Sequence, residues 1–143
     1  MAYNTIELKG CGIRGETIAN AAITPGQLIE VMSTGKVRKH ATAGGFHQRK
    51  ISVEDSLQGN GISDNYAADA KCQWVNAEPG QVMYMLLADG ESATPDEFLE
   101  SNGNGDLRVY TSGTRVGRAM DTLDLSDSSG ADPSSRRIRV EIV

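Results

Sequence analysis

The residue types best suited to catalysis and metal binding are scarce in this chain of 143 residues, which contains two histidines and two cysteines. His40 and His47 lack a third ligand at a recognisable spacing, so exposed or partly hydrogen-bonded histidines are the simpler interpretation. A strand would point the adjacent Glu54 and Asp55 to opposite faces, where they could not act as an acid–base pair. No serine lies in a nucleophile-elbow motif. We therefore predict no catalytic residues, no metal site and no cofactor.

Two glycine-containing stretches resemble ligand-binding motifs but fail on their spacing. Residues 10–15, GCGIRG, fit the dinucleotide pattern GxGxxG, but Pro25 leaves too little room for the helix that must follow. Residues 102–107, NGNGDL, begin like a calcium loop, but Leu107 stands where glycine is required and Gly113 where a bidentate acid is required. We predict a flexible joint in the first stretch and a hairpin turn in the second.

The composition narrows the class of protein. The net charge of −5 disfavours nucleic acid and anionic membranes as partners. Sixteen glycines and 5% aromatic residues favour a turn-rich β protein of one domain. Cys11 and Cys72 are too few for a disulfide framework, so we predict free thiols. Without a signal-peptide pattern or an apolar stretch of about 18 residues, we expect a soluble, cytosol-assembled protein.

One pattern occurs twice: TPGQLIEVMSTGKVRKH at residues 24–40 and TPDEFLESNGNGDLRVY at residues 94–110. Aligned without a gap, the two copies share five identities: Thr24/Thr94, Pro25/Pro95, Glu30/Glu100, Gly35/Gly105 and Arg38/Arg108. Each copy predicts a turn, a short apolar strand, a glycine-containing turn and a second strand. A single helical turn at TPDEFLES is an alternative for the start of the second copy, since Thr, Pro and two acids are helix-start signals.

The elements around these hairpins predict an arm and a body. Short strands separated by turns from residue 23 to residue 143 favour a small antiparallel β-barrel or β-sandwich. Residues 1–22 contain a strand-like YNTIELK and then glycines without a sustained period, which predicts an extended N-terminal arm. Such an arm can bind a neighbour by pairing as an edge strand. The residues assigned to this contact are Tyr3, Ile6, Leu8, Ile13 and Ile18.

The strand QVMYMLL is apolar on both of its faces, whereas a half-exposed antiparallel strand alternates apolar with polar residues. Either the strand is covered on both sides within the domain, or another subunit covers one face. We predict the second, with an interface formed by Val82, Met83, Tyr84, Met85 and Leu87. The final strand, RRIRVEIV, points Ile138, Val140 and Ile142 inward, and we expect its arginines to face solvent or an acidic partner.

The order of these elements resembles the head decoration (cement) proteins of tailed bacteriophages. The resemblance lies in residues 59–110, then RVGRAMDTLD, then the terminal RIRVEIV, with ITPGQLIEVMSTGKV similar to the opening hairpin of the family. It covers residues 20–143. The sequence departs from the family at YAADAKC, where a Gly-Asp turn is expected, and in its long SDSSGADPSS insertion.

This resemblance implies a non-enzymatic structural protein: a β-barrel-like homotrimer on the outer surface of the virion, assembled in the host cytoplasm. Such trimers bind the mature capsid at three-fold and quasi-three-fold axes and clamp neighbouring subunits of the major capsid protein. Their N-terminal arms reach across the coat or to an adjacent decoration trimer. The alternative is a virion-surface module that binds a glycan or a receptor. That function needs exposed aromatic residues, and the chain has only seven aromatic residues.

Overall fold

A computed structural model of the protein describes residues 3–143. Its elements are short β-strands joined by turns, with two 3₁₀ turns at Ser56–Gln58 and Pro133–Ser135. The strands are β1 (Glu7–Lys9), β2 (Ile13–Ile18), β3 (Ile29–Val31), β4 (Val37–Lys39), β5 (Lys50–Ser52), β6 (Lys71–Asn76), β7 (Val82–Leu86), β8 (Ser92–Ala93), β9 (Phe98–Ser101), β10 (Leu107–Val109), β11 (Arg115–Ala119), β12 (Leu123–Asp124) and β13 (Arg137–Ile142).

The strands form several antiparallel sheets, which confirms the predicted mostly-β class. The largest sheet has the order β1-β7-β13-β11-β9-β10, and the next has the order β2-β6-β5. The strand pairs β3-β4 and β8-β12 complete the pairing. No sheet within residues 3–143 closes into a continuous barrel.

Both predicted hairpins are present. Strand β3 pairs with β4 and β9 pairs with β10, and the repeated Glu and Arg face each other in both, as Glu30 opposite Arg38 and Glu100 opposite Arg108. The second hairpin turn contains Gly105 at φ +83°, a conformation that glycine adopts at little cost. No helical turn forms at TPDEFLES, where a turn leads directly into β9.

The duplication extends well beyond the two hairpins. The first half orders its strands β2-β6-β5-β3-β4, where the β5–β3 contact is an isolated bridge, and the second half orders its strands β7-β13-β11-β9-β10. The register agrees as well, since each strand of the second half repeats the pairing of its counterpart about 70 positions earlier. Isolated parallel bridges, Ala19–Val37 and Leu87–Leu107, occupy equivalent places in the two halves. The domain is therefore a structural tandem repeat.

Each half has its own apolar core at equivalent positions. In the first half, Ile23, Ile29 and Val37 pack together around Cys72. The corresponding residues of the second half belong to the larger cluster that also joins the halves; they are Ala93, Leu99, Leu107 and Ile138. The two halves thus bury equivalent positions, although the residue types at those positions differ.

The N-terminal segment packs on the body, so the predicted free arm is not what the structure shows. Ile6 is fully buried in the main core, and its carbonyl accepts a hydrogen bond from the Tyr84 amide at 2.7 Å. Strand β1 pairs with β7. Residues 13–18, predicted as part of a flexible joint, form β2 against β6. The glycines that suggested a joint allow close packing instead, since a Cβ at Gly15 would lie 2.2 Å from the Trp74 ring.

Strand β7, which carries the predicted subunit interface, is covered on both faces within one chain. The side chains of Met83, Met85 and Leu87 are fully inaccessible, and Val82 and Tyr84 are at most 6% exposed. Strand β13 lies along one edge of β7 and β1 along the other, while the two faces contact the apolar cluster that joins the halves. The loss of alternation reports this two-sided packing and requires no second subunit.

The last strand confirms its predicted inward face, but its arginines stabilise the fold. Ile138, Val140 and Ile142 are buried, as expected. Arg137 is also buried and donates to the carbonyls of Pro25 at 3.1 Å and Ile62 at 2.7 Å. Its neighbour Arg136 forms an ion pair with Asp106 at 2.7 Å. The neighbouring arginines satisfy buried oxygens, so they are not an open basic patch.

Candidate interaction surfaces

The same Glu–Arg pair stands in two different environments. In the first hairpin, Glu30 and Arg38 form a 2.7 Å ion pair with both side chains partly exposed to solvent. In the second hairpin, the Glu100 side chain is completely buried and lies 3.4 Å from Arg108. The difference arises because Gly44, from the first half, lies against the Glu100 carboxylate. One half therefore covers the hairpin of the other half.

The buried Glu100 carboxylate is held by a dense set of donors. Its Oε1 accepts hydrogen bonds from the Thr111 amide and hydroxyl and from the Ser112 amide, at 2.5, 2.8 and 3.3 Å. Burial raises the pKa of Glu100, but these bonds and the charge of Arg108 outweigh that effect, so its pKa lies below the ordinary value of 4.5. The carboxylate thus remains ionised in the interior.

The two halves meet where the open end of the first hairpin, at Leu28 and His40, contacts the turn of the second hairpin at Gly105. We call the open end of a hairpin its base, and we name this contact the internal junction. The Leu28 amide donates to the Gly105 carbonyl at 2.8 Å, and the Gly105 amide donates to the His40 carbonyl at 3.1 Å. The Gln27 side-chain amide donates to Asp106 at 3.0 Å. The Gly105 peptide is thereby inserted between the two strands of the first hairpin where they separate.

The internal junction also contains a serine–histidine–glutamate group that sequence reasoning missed. His40 Nδ1 lies 2.7 Å from the Ser101 hydroxyl, and its Nε2 lies 2.8 Å from the Phe46 carbonyl and 3.6 Å from Glu30. Because a carbonyl can only accept, Nε2 carries hydrogen and Ser101 donates to Nδ1 in the neutral form. Both Ser101 and His40 are fully inaccessible, so no substrate could reach the hydroxyl. The group fastens the two halves together.

His47 and the two cysteines also occupy defined places. His47 Nε2 donates to the Arg115 carbonyl at 2.9 Å, and burial lowers the pKa of its imidazole despite that bond. Both cysteines are free thiols, as predicted: Cys11 is exposed and Cys72 is buried. Burial raises the pKa of the Cys72 thiol to about 12. Within residues 3–143, no three His, Cys, Asp or Glu side chains cluster closely enough to hold a metal ion.

Four large apolar side chains in the described part of the chain are substantially exposed: Ile13, Val31, Phe46 and Leu57. Of the five residues assigned to a capsid-binding arm, Ile13 is the most accessible, at 69%. It begins β2, which has a partner strand on one side only in the described sheets. Phe46 and Val31 flank a groove of about 250 Å³ beside β3.

The aromatic residues of the second hairpin form a compact cluster. Phe98 and Tyr110 meet edge to face with their ring centroids 6.5 Å apart, and the Arg115 guanidinium lies 4.2 Å from the Phe98 ring centroid. Both rings are half-buried. A glycan-binding surface needs open aromatic faces, and here the Arg115 guanidinium lies over one face of each ring, 4.9 Å from the Tyr110 centroid.

The comparisons with known proteins leave the family open. No protein-family model matches the chain, and no curated protein is similar to it. No helix within residues 3–143 is long and apolar enough to cross a bilayer.

Proposed function

We propose that this protein is a structural component of a phage virion, a decoration (cement) protein that binds the outside of the mature head. In this proposal it acts as a homotrimer at three-fold and quasi-three-fold axes, stabilises the head by clamping neighbouring subunits of the major capsid protein, and catalyses no reaction. The order of motifs over residues 20–143 and the short antiparallel strands support it. The sealed Ser101–His40 pair also fits a protein without a catalytic centre.

The observation that carries the proposal is the outer edge of β2, which has no partner strand among the sheets of residues 3–143. Its counterpart in the second half, β7, accepts β1 as an added strand on the equivalent edge. The same edge geometry can therefore accept an extended segment of the capsid protein by strand addition. Ile13 would supply apolar contact there, because 69% of it is accessible in the free chain. In this proposal the capsid contact lies on β2, since Ile6 and Leu8 already pack within the body.

Co-sedimentation with expanded phage heads that lack decoration tests the function and the contact separately. The parent protein is expected to sediment with the heads, and the Ile13→Glu variant to bind at least about tenfold more weakly per site, since burying an isoleucine contributes about 1.5–3 kcal/mol. Leu57→Glu is the matched control, because Leu57 is 91% exposed and lies outside β2. A parent protein that stays in the supernatant would refute the decoration function. Equal binding by the Ile13→Glu variant would refute only the contact.

A further inference from the structure

The internal junction uses two different surfaces, the base of one hairpin and the turn of the other. Since the domain is a tandem repeat, each half carries a version of both surfaces. The first half uses its base and the second half uses its turn. The turn of the first hairpin and the base of the second therefore make no equivalent contact within residues 3–143.

The unused base retains the geometry of the used one. In the first hairpin the His40 amide donates to the Leu28 carbonyl at 2.9 Å, and in the second the Tyr110 amide donates to the Phe98 carbonyl at 2.8 Å. In the first hairpin, the Leu28 amide and the His40 carbonyl form their hydrogen bonds with Gly105. In the second hairpin, no hydrogen bond outside the strand ladders joins the Phe98 amide to the Tyr110 carbonyl or brings another backbone amide to that carbonyl within residues 3–143. They form a donor and an acceptor at the place where a turn peptide would insert.

The glycine of the unused turn keeps the backbone conformation of its equivalent in the used turn, and it projects into solvent. Gly35 has φ +88°, close to the +83° of Gly105, and no atom lies within 4 Å of the position of its absent Cβ. Val31, at the end of β3, is 52% exposed, whereas its counterpart Ser101 is buried in the internal junction. An exposed valine beside a protruding turn is an apolar surface without a partner.

The side chains of the two unused surfaces are complementary. Where the internal junction pairs Gln27 with Asp106, the equivalent positions hold Glu97 and Lys36. Gln27 accepts from the Thr24 amide with its oxygen and contacts Asp106 with its nitrogen. Glu97 likewise uses Oε1 to accept from the Thr94 amide at 2.9 Å, which leaves Oε2 for an ammonium group.

We propose that these two surfaces bind each other between copies of this chain, so that the turn of the first hairpin in one copy docks on the base of the second hairpin in the next copy. The Phe98 amide donates to the Gly35 carbonyl, Lys36 pairs with Glu97, and Val31 packs against Tyr110. The Gly35 amide already donates to the Met32 carbonyl at 2.9 Å, so the contact reproduces one of the two backbone bonds of the internal junction, the one from the Phe98 amide, and leaves the Tyr110 carbonyl without a donor from the turn.

This contact joins different patches on the two partners, so it generates a ring if the rotation closes and a filament if it does not. In the homotrimer of the proposed function, on which this ring size depends, three copies would give a ring of six equivalent halves. The contact itself requires no capsid. Lys36 must exchange its solvent-exposed ion pair with Asp69, and such pairs contribute little free energy.

The test exchanges side chains so that the interface reproduces the internal junction. Mass is measured for the full chain, without capsids, by analytical ultracentrifugation. Lys36→Asp places a carboxylate against Glu97 and is expected to weaken association at least about tenfold, because two carboxylates in close contact repel each other. Glu97→Gln preserves the bond to Thr94, as Gln27 does at the equivalent turn, and is expected to weaken association less. The double variant recreates the Gln–Asp pair and is expected to restore the parent mass.

Three results would overturn the proposal: a monomeric parent, a Lys36→Asp variant as associated as the parent, or a double variant no better than Lys36→Asp. Asp69→Ala is the control for the intrachain partner of Lys36 and is expected to leave the mass unchanged. Val31→Asp is expected to dissociate the oligomer, whereas Leu57→Asp is not. Capsid binding is measured separately, by co-sedimentation. A negative result for this contact therefore does not refute the decoration function.

Discussion

The duplicated Glu–Arg pair allows the same substitution to be compared in two environments within one chain. Glu30 and Arg38 are 25% and 44% exposed, so Glu30→Ala is expected to cost at most about 1 kcal/mol. Glu100 is fully buried, and its removal leaves the Thr111 and Ser112 donors and Arg108 without their acceptor. Arg108 is 36% exposed and Thr111 and Ser112 are exposed residues, so water can reach these partners once the carboxylate is gone. The loss is then that of the hydrogen bonds to a charged group, and Glu100→Ala is expected to cost about 3 kcal/mol.

Urea denaturation followed by circular dichroism measures both free energies of unfolding. The expected difference corresponds to a fall in Tm of about 10 °C for Glu100→Ala against a few degrees at most for Glu30→Ala, since a chain of this size shifts by about 2–4 °C per kcal/mol. Both variants remove the same atoms from the same hairpin position, so intrinsic strand preference cancels. Losses that agree within about 0.5 kcal/mol would show that burial does not distinguish the two halves.

Other measurements follow from the same structure. Because the pKa of Glu100 in the folded protein lies below its ordinary 4.5, the stabilisation it supplies is complete above pH 4.5 and is lost as pH falls further; urea midpoints across that range are expected to fall less in Glu100→Gln. A thiol reagent is expected to modify Cys11 at once and Cys72 only on unfolding, since Cys72 is buried and its pKa is about 12; rapid reaction of both would contradict the packing. Deleting residues 2–9 removes β1 and a buried isoleucine and is expected to cost about 2–5 kcal/mol or abolish folding, whereas an unchanged Tm would restore the separate arm. Gly15→Ala, which forces a methyl group against an indole ring, is expected to lower the Tm, and an unchanged value would show that the ring moves aside freely.

The hairpins were predictable because their signals are local: a glycine at each turn and a Glu–Arg pair across each pair of strands. The rest of the duplication could not be predicted, because its residue types have diverged while the strand order and register are the same in both halves. Trp74 and Val140 occupy equivalent positions in β6 and β13, and no sequence pattern relates them. The two positions are equivalent only in their backbone pairing, which a comparison of residue types does not detect.

At the N-terminus and at β7, the sequence pattern leaves out the same kind of information. Periodicity shows that both faces of β7 are apolar, but it does not show which atoms cover them. The apolar cluster that covers them includes Ile6, 77 positions before Met83 in the chain, and contacts at that separation leave no local pattern. Likewise, Gly15 indicates flexibility only until Trp74 is placed over it. The internal junction was missed because His40 and Ser101 lie 61 positions apart and form no recognised motif.

The internal junction also bears on how the chain is made. A ribosome delivers β2 to β6 before any residue of the second half, and domains begin to fold as they emerge. The base at Leu28 then stays uncapped until Gly105 has been synthesised, some 77 residues later. During that interval, neighbouring nascent chains on one message present the same open base, and a finished chain can offer its own Gly105 turn to it. Rapid elongation through residues 77–105 would therefore favour monomeric folding over exchange of halves between chains.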